Sequence, residues 1–590
     1  MNAMKCIVLK DNDSILNLSV GNAYLGKIEN NYVILNKRIK IPFNKINFDF
    51  SKYEKDQVAI IVKKIILPNE IIADAEDISK YEILENLRNN NDFVKIKDIE
   101  NSLIGKIVFV EGIVEKIIQT NGPTLFKIRD ETGVIITKAF AGVGKRAFQE
   151  IKEGDGVSAK IKISMYDNNI EGEIISMKKS DFDYDAISKR INEQSIPSKD
   201  YFSIYSSVYE NMKELFISAA TRIKKAIYEQ RPILLRHHAD CDGYSGALAI
   251  EHSIIAVMKE IYKDEKMIWT HYSRIPNRTP FYDYSEASKD VAFFLDDMIR
   301  FGNKAPLIIC LDFGSSNESL LSYKKLKMFG SEIIVVDHHL SSFEEFENVK
   351  NYVDVFINPH EHLGNEKITA GMLGYELSLF IKEHNLKHLP IISGFGDRSD
   401  GYEFLEYCKN FSEEELKFYK KLADVVDFEA YHLKFLEGRS YFNELLTNKE
   451  FQEKIVEEIH KVLEELWNEY DSIIKKNMKI IKEKPLIIML EDISIMNDFP
   501  SPGKITGFAK DQIIKRTNRT DVVVIYVFDD GIVLRSEDFD LEINKRVKQL
   551  QEKFPEFLVE GGGHSKAGSI RFLKIGKNKI LEEVLNWFKD

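Results

Sequence analysis

Histidine and aspartate side chains cluster in the middle of the chain, where apolar segments end. Eight of the 13 histidines lie within residues 237–362, far more than an even spread would place there. The polar groups that follow the apolar segments are His237-His238-Ala239-Asp240-Cys241-Asp242, Asp312, Asp337-His338-His339 and Asp397. Carboxylates mixed with imidazoles suit Mn²⁺ or Mg²⁺, and such ions activate water for hydrolysis. The residue types therefore predict a metal-dependent site.

Buried parallel strands are predicted to position these groups. Continuous apolar runs alternate with helical stretches; the runs are 232–235, 307–311 and 332–336, and the helices are 244–261, 317–328 and 367–384. Such runs are typical of strands buried on both faces. Acids at four strand ends would meet in one crevice and repel one another unless cations neutralise them. An aspartate shared by two ions would hold them about 3.5–4 Å apart, as in phosphoryl-transfer sites.

A small β-barrel is predicted before this region. Residues 103–178 contain five short strands with glycine turns, including Phe126-Lys127-Ile128-Arg129-Asp130 before Glu131-Thr132-Gly133. The order of these pieces resembles a nucleic-acid-binding OB fold. Aromatic platforms and basic side chains would line its groove, supplied by Phe126, Lys138, Phe140, Lys145 and Arg146. The alternative is a structural barrel whose aromatic residues fill its own core.

A phosphate clamp is predicted near the C-terminus. The backbone N–H groups of a glycine triplet can meet a phosphate without obstruction by side chains. The residues of this clamp are Gly561, Gly562, Gly563 and His564, with Arg535 and Ser536 at a strand end. The alternative is a tight structural turn.

Composition limits the class of protein. The 590 residues are 44% hydrophobic and 30% charged, which indicates several globular domains. We expect neither a membrane span nor a secretory signal, and four widely separated cysteines favour a reducing cytoplasm. The net charge of -12 does not favour nucleic acid globally, but residues 101–180 carry 12 basic against 10 acidic side chains.

The predicted fold class is α/β and multidomain, with a parallel-sheet domain, a smaller α/β C-terminal domain and an N-terminal β-barrel. The predicted segments are a small β-rich module (1–75), a helical linker (76–99), the OB-like domain (100–180), the parallel-sheet domain (200–402), a helical connector (403–482) and the C-terminal domain (483–590).

Four motifs in this order resemble the DHH phosphoesterase family. They are His238-x-Asp240-x-Asp242-Gly243, Leu311-Asp312-x-Gly314, Asp337-His338-His339 and Gly396-Asp397. The sequence from Gly561 to Gly568 resembles the domain that follows the catalytic domain in many members. An OB-like module before such a core is similar to archaeal RecJ-like single-strand exonucleases.

The resemblance implies a role for each motif residue. One ion would be held by His238, Asp240 and Asp312, and the other by Asp242, Asp312, His338 and Asp397. Asp337 would orient His338, and His339 would contact the scissile phosphate and assist the leaving oxygen. The implied cofactor is two Mn²⁺ ions, with Mg²⁺ as the second candidate.

Other residues in this region have competing interpretations. Asp240 alone is better explained as a helix cap, and His237 as a neighbour of the first ligand. Asp296 and Asp297 compete with Asp312, which we prefer because a strand run precedes it. Further residues are left open: Asp400 as a surface acid, and His360 and His362 as crevice or loop residues.

The leading functional prediction is a two-metal exonuclease that degrades single-stranded DNA or RNA to mononucleotides in replication or repair. The alternative enzyme is a nanoRNase or nucleoside bisphosphate phosphatase. The alternative of another class is a replisome scaffold. Association with a GINS-type or replicative helicase complex is implied only by analogy.

Overall fold

The computed structural model describes most of the chain in two compact units, Met1–Val94 and Lys95–Asp590. The described residues are 4–7, 18, 23–36, 39–50, 55–66, 70–77, 81–84, 93–166, 169–182, 184–262, 265–277, 279–301, 303–433, 438–494 and 499–588.

The first unit is an eight-stranded sheet. Its strands are β1 (Met4–Ile7), β2 (Ala23–Glu29), β3 (Tyr32–Asn36), β4 (Ile39–Pro42), β5 (Ile46–Asn47), β6 (Gln57–Ile66), β7 (Glu70–Asp77) and β8 (Tyr81–Leu84). β7 and β8 lie partly where a helical linker was predicted, so that prediction is wrong there. Ile71, Ala73 and Ala75 are buried at every second position, which is the period of a strand.

The second unit begins with a closed barrel, as predicted. Its strands are β9 (Ile107–Gln119), β10 (Thr124–Asp130), β11 (Gly133–Ala139), β12 (Gly156–Tyr166) and β13 (Asn169–Lys179). They close in the order β10-β11-β13-β12-β9. The first half of β9 pairs with β12 and the second half with β10.

A five-stranded parallel sheet follows and confirms the predicted fold class. Its strands are β14 (Ile233–His238), β15 (Tyr272–Asn277), β16 (Leu307–Leu311), β17 (Glu332–Val336) and β18 (Val355–Ile357). The strand order is β15-β14-β16-β17-β18. The chain therefore adds β15 on one side of β14 and then β16, β17 and β18 on the other side, which makes the gap between β14 and β16 the topological switch point. In open α/β sheets this switch point, at the carboxyl ends of the strands, is where ligands bind. β15 and β18 were not predicted, because one alternates polar residues and the other has three residues.

Helices cover both faces of this sheet and continue beyond it. They are α1 (Tyr184–Ser195), α2 (Ser207–Tyr228), α3 (Cys241–Ile261), α4 (Glu265–His271), α5 (Tyr284–Phe301), α6 (Leu320–Met328), α7 (Phe343–Lys350), α8 (Ala370–Ile381), α9 (Leu389–Gly396), α10 (Tyr402–Cys408), α11 (Glu413–Leu433), α12 (Arg439–Thr447) and α13 (Lys449–Asn477). One core packs α2, α3, α8 and α9 on the sheet, and another packs α5 and α6. Among the described helices, none combines the length and the apolar character needed to cross a membrane.

The C-terminal part is a second, smaller α/β domain, also as predicted. It contains β19 (Lys479–Glu483), β20 (Leu486–Glu491), α14 (Pro502–Thr517), β21 (Val522–Phe528), β22 (Gly531–Ser536), α15 (Ile543–Lys553), β23 (Glu560–His564), β24 (Ala567–Arg571) and α16 (Lys577–Asn586). The sheet order is β19-β20-β21-β22-β24-β23. α14 contacts the preceding α/β domain through the ion pairs Lys504–Asp427 and Arg398–Asp511.

Candidate metal centre

Asp312 lies at the centre of the histidine and aspartate cluster. It follows β16 in the left-handed backbone conformation, with φ 64°, and its N–H donates to Val336 O at 2.9 Å. Its Oδ1 is 3.3 Å from His338 Nε2, and its Oδ2 is 3.5 Å from His238 Nδ1. One buried carboxylate therefore touches two separate groups of ligands.

The first group is His238 and Asp240, at the end of β14. Asp240 caps α3 by accepting from Gly243 N at 3.0 Å through Oδ1. Its Oδ2 lies 2.6 Å from His238 Nδ1. The helix-cap interpretation and the ligand interpretation are thus compatible, because each uses a different oxygen of the same carboxylate.

The second group is Asp242, His338 and Asp397. His338 Nε2 lies 3.8 Å from Asp242 Oδ2 and 3.3 Å from Asp397 Oδ2. Asp397 follows helix α9 and not a strand, so the prediction of four acids at strand ends is wrong for this residue. Two helices, α8 and α9, separate it from the last strand of the sheet.

The N-terminus of α8 holds the Asp242 carboxylate. Ala370 N and Gly371 N donate to its two oxygens at 2.9 and 2.7 Å, and Ser393 donates its hydroxyl. A Cβ on Gly371 would come within 2.7 Å of Asp242 Oδ1, so a larger residue would displace the acid. Helix N-termini stabilise anions, which keeps this buried carboxylate in place. The sequence analysis missed these contacts.

Asp337 orients His339, not the ring of His338. Its Oδ1 is 2.7 Å from His339 Nδ1 and accepts from His338 N, while Oδ2 accepts from Ser315 N at 3.0 Å. The ring of His338 is instead held through Nδ1 by Glu366 O at 3.0 Å. The predicted role of Asp337 toward the His338 ring is therefore wrong.

The electrostatics of the cluster favour a bound cation. Burial and the neighbouring Asp312 and Asp397 carboxylates raise the pKa of Asp242 well above its usual value. Burial raises the pKa of Asp397 to about 6, although His338 opposes this. Burial lowers the pKa of His238, but the Asp240 and Asp312 carboxylates outweigh it and raise the pKa well above its usual value.

The donor set fits divalent cations. Three groups of residues each bring ligand atoms within 4.8 Å of one another: Asp312, His338 and His339; His238, Asp240 and Asp312; and Asp242, His338 and Asp397. Asp312 Oδ2 is buried and has no hydrogen-bond partner in the described part of the chain. Oxygen-rich sites with a few imidazoles can bind Mn²⁺ or Mg²⁺.

The competing residues lie elsewhere or play other roles. Asp296 and Asp297 lie within helix α5, away from the strand end that carries Asp312. His237 is buried and packs edge-on against Tyr244, and burial lowers its pKa to about 3. Asp400 is an exposed partner of Lys367. The two remaining histidines belong to a short 3-10 turn after β18: His360 and His362.

The C-terminal clamp residues are only partly available to an anion. Ser536 is buried and donates its hydroxyl to Phe539 O. Gly563 N donates to Asn544 Oδ1 at 3.1 Å, so this N–H is not open. A Cβ on Gly563 would meet Ala567 O at 2.1 Å, because β23 and β24 approach closely. Gly561, Gly562 and His564 belong to the same strand, β23.

Arg535 lacks a carboxylate partner among the described ion pairs. Its Nη1 donates only to Leu534 O, and burial together with the nearby Arg398 lowers its pKa to about 10. The guanidinium groups of Arg535 and Arg398 lie beside α14. A Cβ on Gly503 would lie 3.3 Å from Arg535, and a Cβ on Gly507 would lie 3.3 Å from Arg398. Arg398 was missed although it directly follows Asp397 in the sequence.

The predicted groove of the barrel is not a single surface. Phe126 is fully buried and packs against Phe148, so its predicted role as a stacking platform is wrong. Lys138 lies 3.4 Å from Glu171 and 3.8 Å from Glu173, and Arg146 donates to Ile151 O. Phe140 and Lys145 are exposed in the loop after β11.

The chain is similar to several known proteins. An uncharacterized protein of Methanocaldococcus jannaschii, MJ1198, is 31% identical over 596 residues, covering 91% of this chain and 78% of that protein. The DHH domain of a member of a family of ribosomal proteins is 35% identical, with a TM-score of 0.63, covering 68% of this chain and 96% of that one. RecJ from Thermus thermophilus, solved with Mn²⁺, is 16% identical with a TM-score of 0.42, covering 67% and 56%. No protein-family profile matches the chain.

Proposed function

The chain belongs to the DHH phosphoesterase family, and we propose that it is an exonuclease that releases mononucleotides from single-stranded DNA or RNA. The observation that carries the proposal is the position of Asp312, within 3.5 Å of His238 and 3.3 Å of His338. These ligand groups flank the switch point between β14 and β16, where open α/β sheets bind their ligands.

Two divalent cations are proposed as cofactors, with Mn²⁺ before Mg²⁺. His238, Asp240 and Asp312 would hold one ion. Asp242, His338 and Asp397 would hold the other, with Asp312 shared. When bound, such ions act as Lewis acids and lower the pKa of water, which supplies a nucleophile at neutral pH.

His339 is the proposed contact to the scissile phosphate. Its side chain is partly exposed at the mouth of the cluster, while Asp337 fixes its ring at 2.7 Å. The Asp337 carboxylate raises the pKa of His339 despite burial, which opposes the charged form. A cationic imidazole in this position binds a phosphate oxygen and donates a proton to the leaving oxygen.

Arg535 and Arg398 are proposed to hold the phosphate that follows the scissile one. Both are cationic, and Arg535 has no carboxylate partner in the described structure. Arg398 directly follows Asp397 in the sequence, and its guanidinium group pairs with Asp511 at 2.7 Å. Guanidinium groups bind phosphate oxygens in bidentate geometry, which suits this position. Gly561 and Gly562 are proposed as a secondary support through their backbone, since the N–H of Gly563 already donates to Asn544 Oδ1.

The test is hydrolysis of end-labelled single strands of about 30 nucleotides by the full chain with Mn²⁺. A dinucleotide and adenosine bisphosphate run in parallel, and chelator-treated protein is the control. Progressive shortening of the long strand supports the exonuclease and shows its polarity. Cleavage of only the short substrates would replace the proposal with the nanoRNase or phosphatase alternative. Absence of hydrolysis of all three would favour the scaffold, for which a GINS-type partner stays a prediction.

A further inference from the structure

The C-terminal domain approaches the metal centre through a lysine on α14. Lys504 lies in the first turn of this helix, and its Nζ pairs with the carboxylate of Asp427 on α11. The side chain of Asp427 is only 9% exposed. Burial opposes the charged form of the lysine, but three carboxylates outweigh it and raise the pKa of this group: those of Asp427, Asp424 and Asp240. The lysine is therefore cationic and lies close to a proposed metal ligand.

The same aspartate holds the first turn of α3. Asp427 accepts from Cys241 N at 2.9 Å through Oδ1, and it binds Lys504 through its other oxygen, Oδ2. Cys241 lies between Asp240 and Asp242, which are proposed ligands of different ions. The first N–H groups of a helix have no partner within the helix, so a carboxylate at this end satisfies one of them and is stabilised by the helix dipole. Asp427 therefore fixes the backbone that carries the two ligands.

The first turn of α3 is packed closely against α9 as well. Cys241 donates its Sγ–H to Ile392 O at 3.4 Å, and a Cβ on Gly396 would lie 2.7 Å from Cys241 Cβ. Both partners belong to α9, the helix that precedes the ligand Asp397. The turn thus lies between α9 and the Asp427 carboxylate, and close packing transmits small shifts. A displacement of Asp427 would therefore move the ligands that this turn carries.

The same turn of α14 also lies beside the proposed phosphate clamp. A Cβ on Gly503, the residue before the lysine, would lie 3.3 Å from Arg535 Nη2. One helical turn thus approaches both the guanidinium group proposed to hold a phosphate and the carboxylate that holds α3. Another ion pair between α14 and the preceding domain, Arg398–Asp511, is exposed on both partners, and exposed pairs contribute little. The buried contact of the lysine is the stronger connection between these domains.

We infer that Lys504 is a positioning residue of the metal centre: through Asp427 it fixes the first turn of α3. The C-terminal domain thereby contributes to the geometry of the metal ligands as well as to substrate binding. Without its cation, the buried Asp427 carboxylate would turn toward water, which weakens its hold on Cys241 N. The effect on ion binding needs no substrate, whereas the effect on hydrolysis rests on the proposed function.

Mn²⁺ binding is measured first, by calorimetric titration of the full chain without substrate. We expect Lys504→Met to weaken Mn²⁺ binding about tenfold, the lower end of the loss that follows removal of an outer partner of a metal site. Lys504→Arg keeps the positive charge and should restore most of the affinity. Asp427→Asn removes the negative charge that pairs with the lysine and should weaken Mn²⁺ binding by a similar factor. Failure of Lys504→Arg to restore any affinity would overturn the inference.

A double variant tests whether the two residues act as one unit. If Lys504 acts through Asp427, Lys504→Met combined with Asp427→Asn should bind Mn²⁺ about tenfold more weakly than wild type, as each single variant does, because the second change removes nothing further. Independent effects would multiply to about 100-fold and would contradict the proposed route through Asp427.

The matched control is Lys510→Met, on the same helix. Lys510 pairs with Asp511 and Glu537, which both belong to the C-terminal domain. Its replacement should leave Mn²⁺ affinity unchanged. An equal loss of affinity in Lys510→Met and Lys504→Met, or unchanged affinity in Lys504→Met, would overturn the inference. Urea unfolding without metal shows whether the variants are folded; if Lys504→Met is not, the comparison of Asp427→Asn with Lys510→Met decides in its place.

Kinetics then separate positioning from substrate contact. At saturating Mn²⁺, Lys504→Met should lower kcat about tenfold on a long strand and on a dinucleotide, with little change in KM. A raised KM with unchanged kcat would show that the lysine binds the substrate directly and would overturn the inference. If wild type binds Mn²⁺ but hydrolyses neither substrate, the proposed function fails, while the titration still decides the role of Lys504. If wild type binds no Mn²⁺, both are wrong.

Discussion

The metal centre and the barrel show how differently two sets of motif residues can behave. Asp242, Asp312 and Asp397 are far apart in sequence, yet all three carboxylates lie within 3.8 Å of His338 Nε2. In the barrel, Phe126 and Phe140 were assigned to one groove, but the first is in the core and the second is in solvent. The three predicted metal ligands therefore lie together in one site, whereas the two predicted stacking residues do not share a surface.

The difference follows from the energetic cost of burial. A carboxylate after an apolar strand is expensive to bury without a partner, so several such acids in one region indicate a shared cation. An aromatic ring is stable both in a core and on a surface. Its identity alone therefore does not reveal which face of a strand it occupies.

The largest expected effect concerns the metal centre. Asp312→Ala removes the carboxylate shared by both ligand groups and should lower hydrolysis at least 100-fold, because loss of even the outer partners of metal ligands costs about 10- to 100-fold. Calorimetric titration with Mn²⁺ should lose binding in parallel.

The matched control for that variant is Asp297→Ala, in the middle of α5. It removes an acid that competed for the same motif and should keep both activity and Mn²⁺ binding. Equal losses in the two variants would show that Asp312 acts only through folding.

The next effect concerns the aromatic side. Phe126→Ala should destabilise the protein by about 3–5 kcal/mol, the usual cost of removing a buried phenylalanine. Urea unfolding measures it, and the exposed Phe140→Ala should change the free energy of unfolding by no more than about 0.5 kcal/mol. A stable Phe126→Ala variant that fails to bind nucleic acid would restore the predicted groove.

The sequence contained the signal that separates these aromatic residues. Phe126 and Ile128 have the same parity along β10, while Lys127 and Arg129 alternate with them. Period-two alternation places residues of one parity on one face, so Phe126 is expected in the core. The parallel sheet was predictable for a related reason, since its continuous apolar runs indicate strands buried on both faces.

Other features depend on tertiary contacts and could not be predicted. The donors to Asp242 come from the start of α8 and from Ser393, more than 100 residues away in sequence. The carbonyl that holds His338 belongs to Glu366, and backbone groups carry no sequence signature. Asp397 follows α9, which comes after α8 with no strand between them, so no strand run in the sequence marks its position.

A smaller effect sharpens the electrostatic argument. Because burial and like charges raise the pKa values of Asp242 and Asp397, a divalent cation should stabilise the fold. At a concentration 100 times its Kd, an ion contributes about 2.7 kcal/mol, or roughly 5–10 °C in the melting transition of a domain of this size. Calorimetry with and without chelator measures it. The same shift in Asp312→Ala would contradict binding at this centre.

The smallest expected effect concerns Arg535, one of the predicted clamp residues of the C-terminal domain. Arg535 is a half-buried cation without a carboxylate partner among the described ion pairs, so its partial desolvation is costly unless an anion shares the site. Arg535→Ala should raise KM about tenfold, the loss expected for one charge-assisted contact, with little change in kcat. Arg535→Lys keeps the positive charge but loses the planar guanidinium group that can bind two phosphate oxygens at once, so it should recover only part of the affinity. Sulfate should protect Arg535 from arginine-directed modification in wild type. If both variants keep the wild-type KM, Arg535 does not contact the substrate, and the proposed phosphate clamp is wrong. Arg535 would then contribute only to the domain interface.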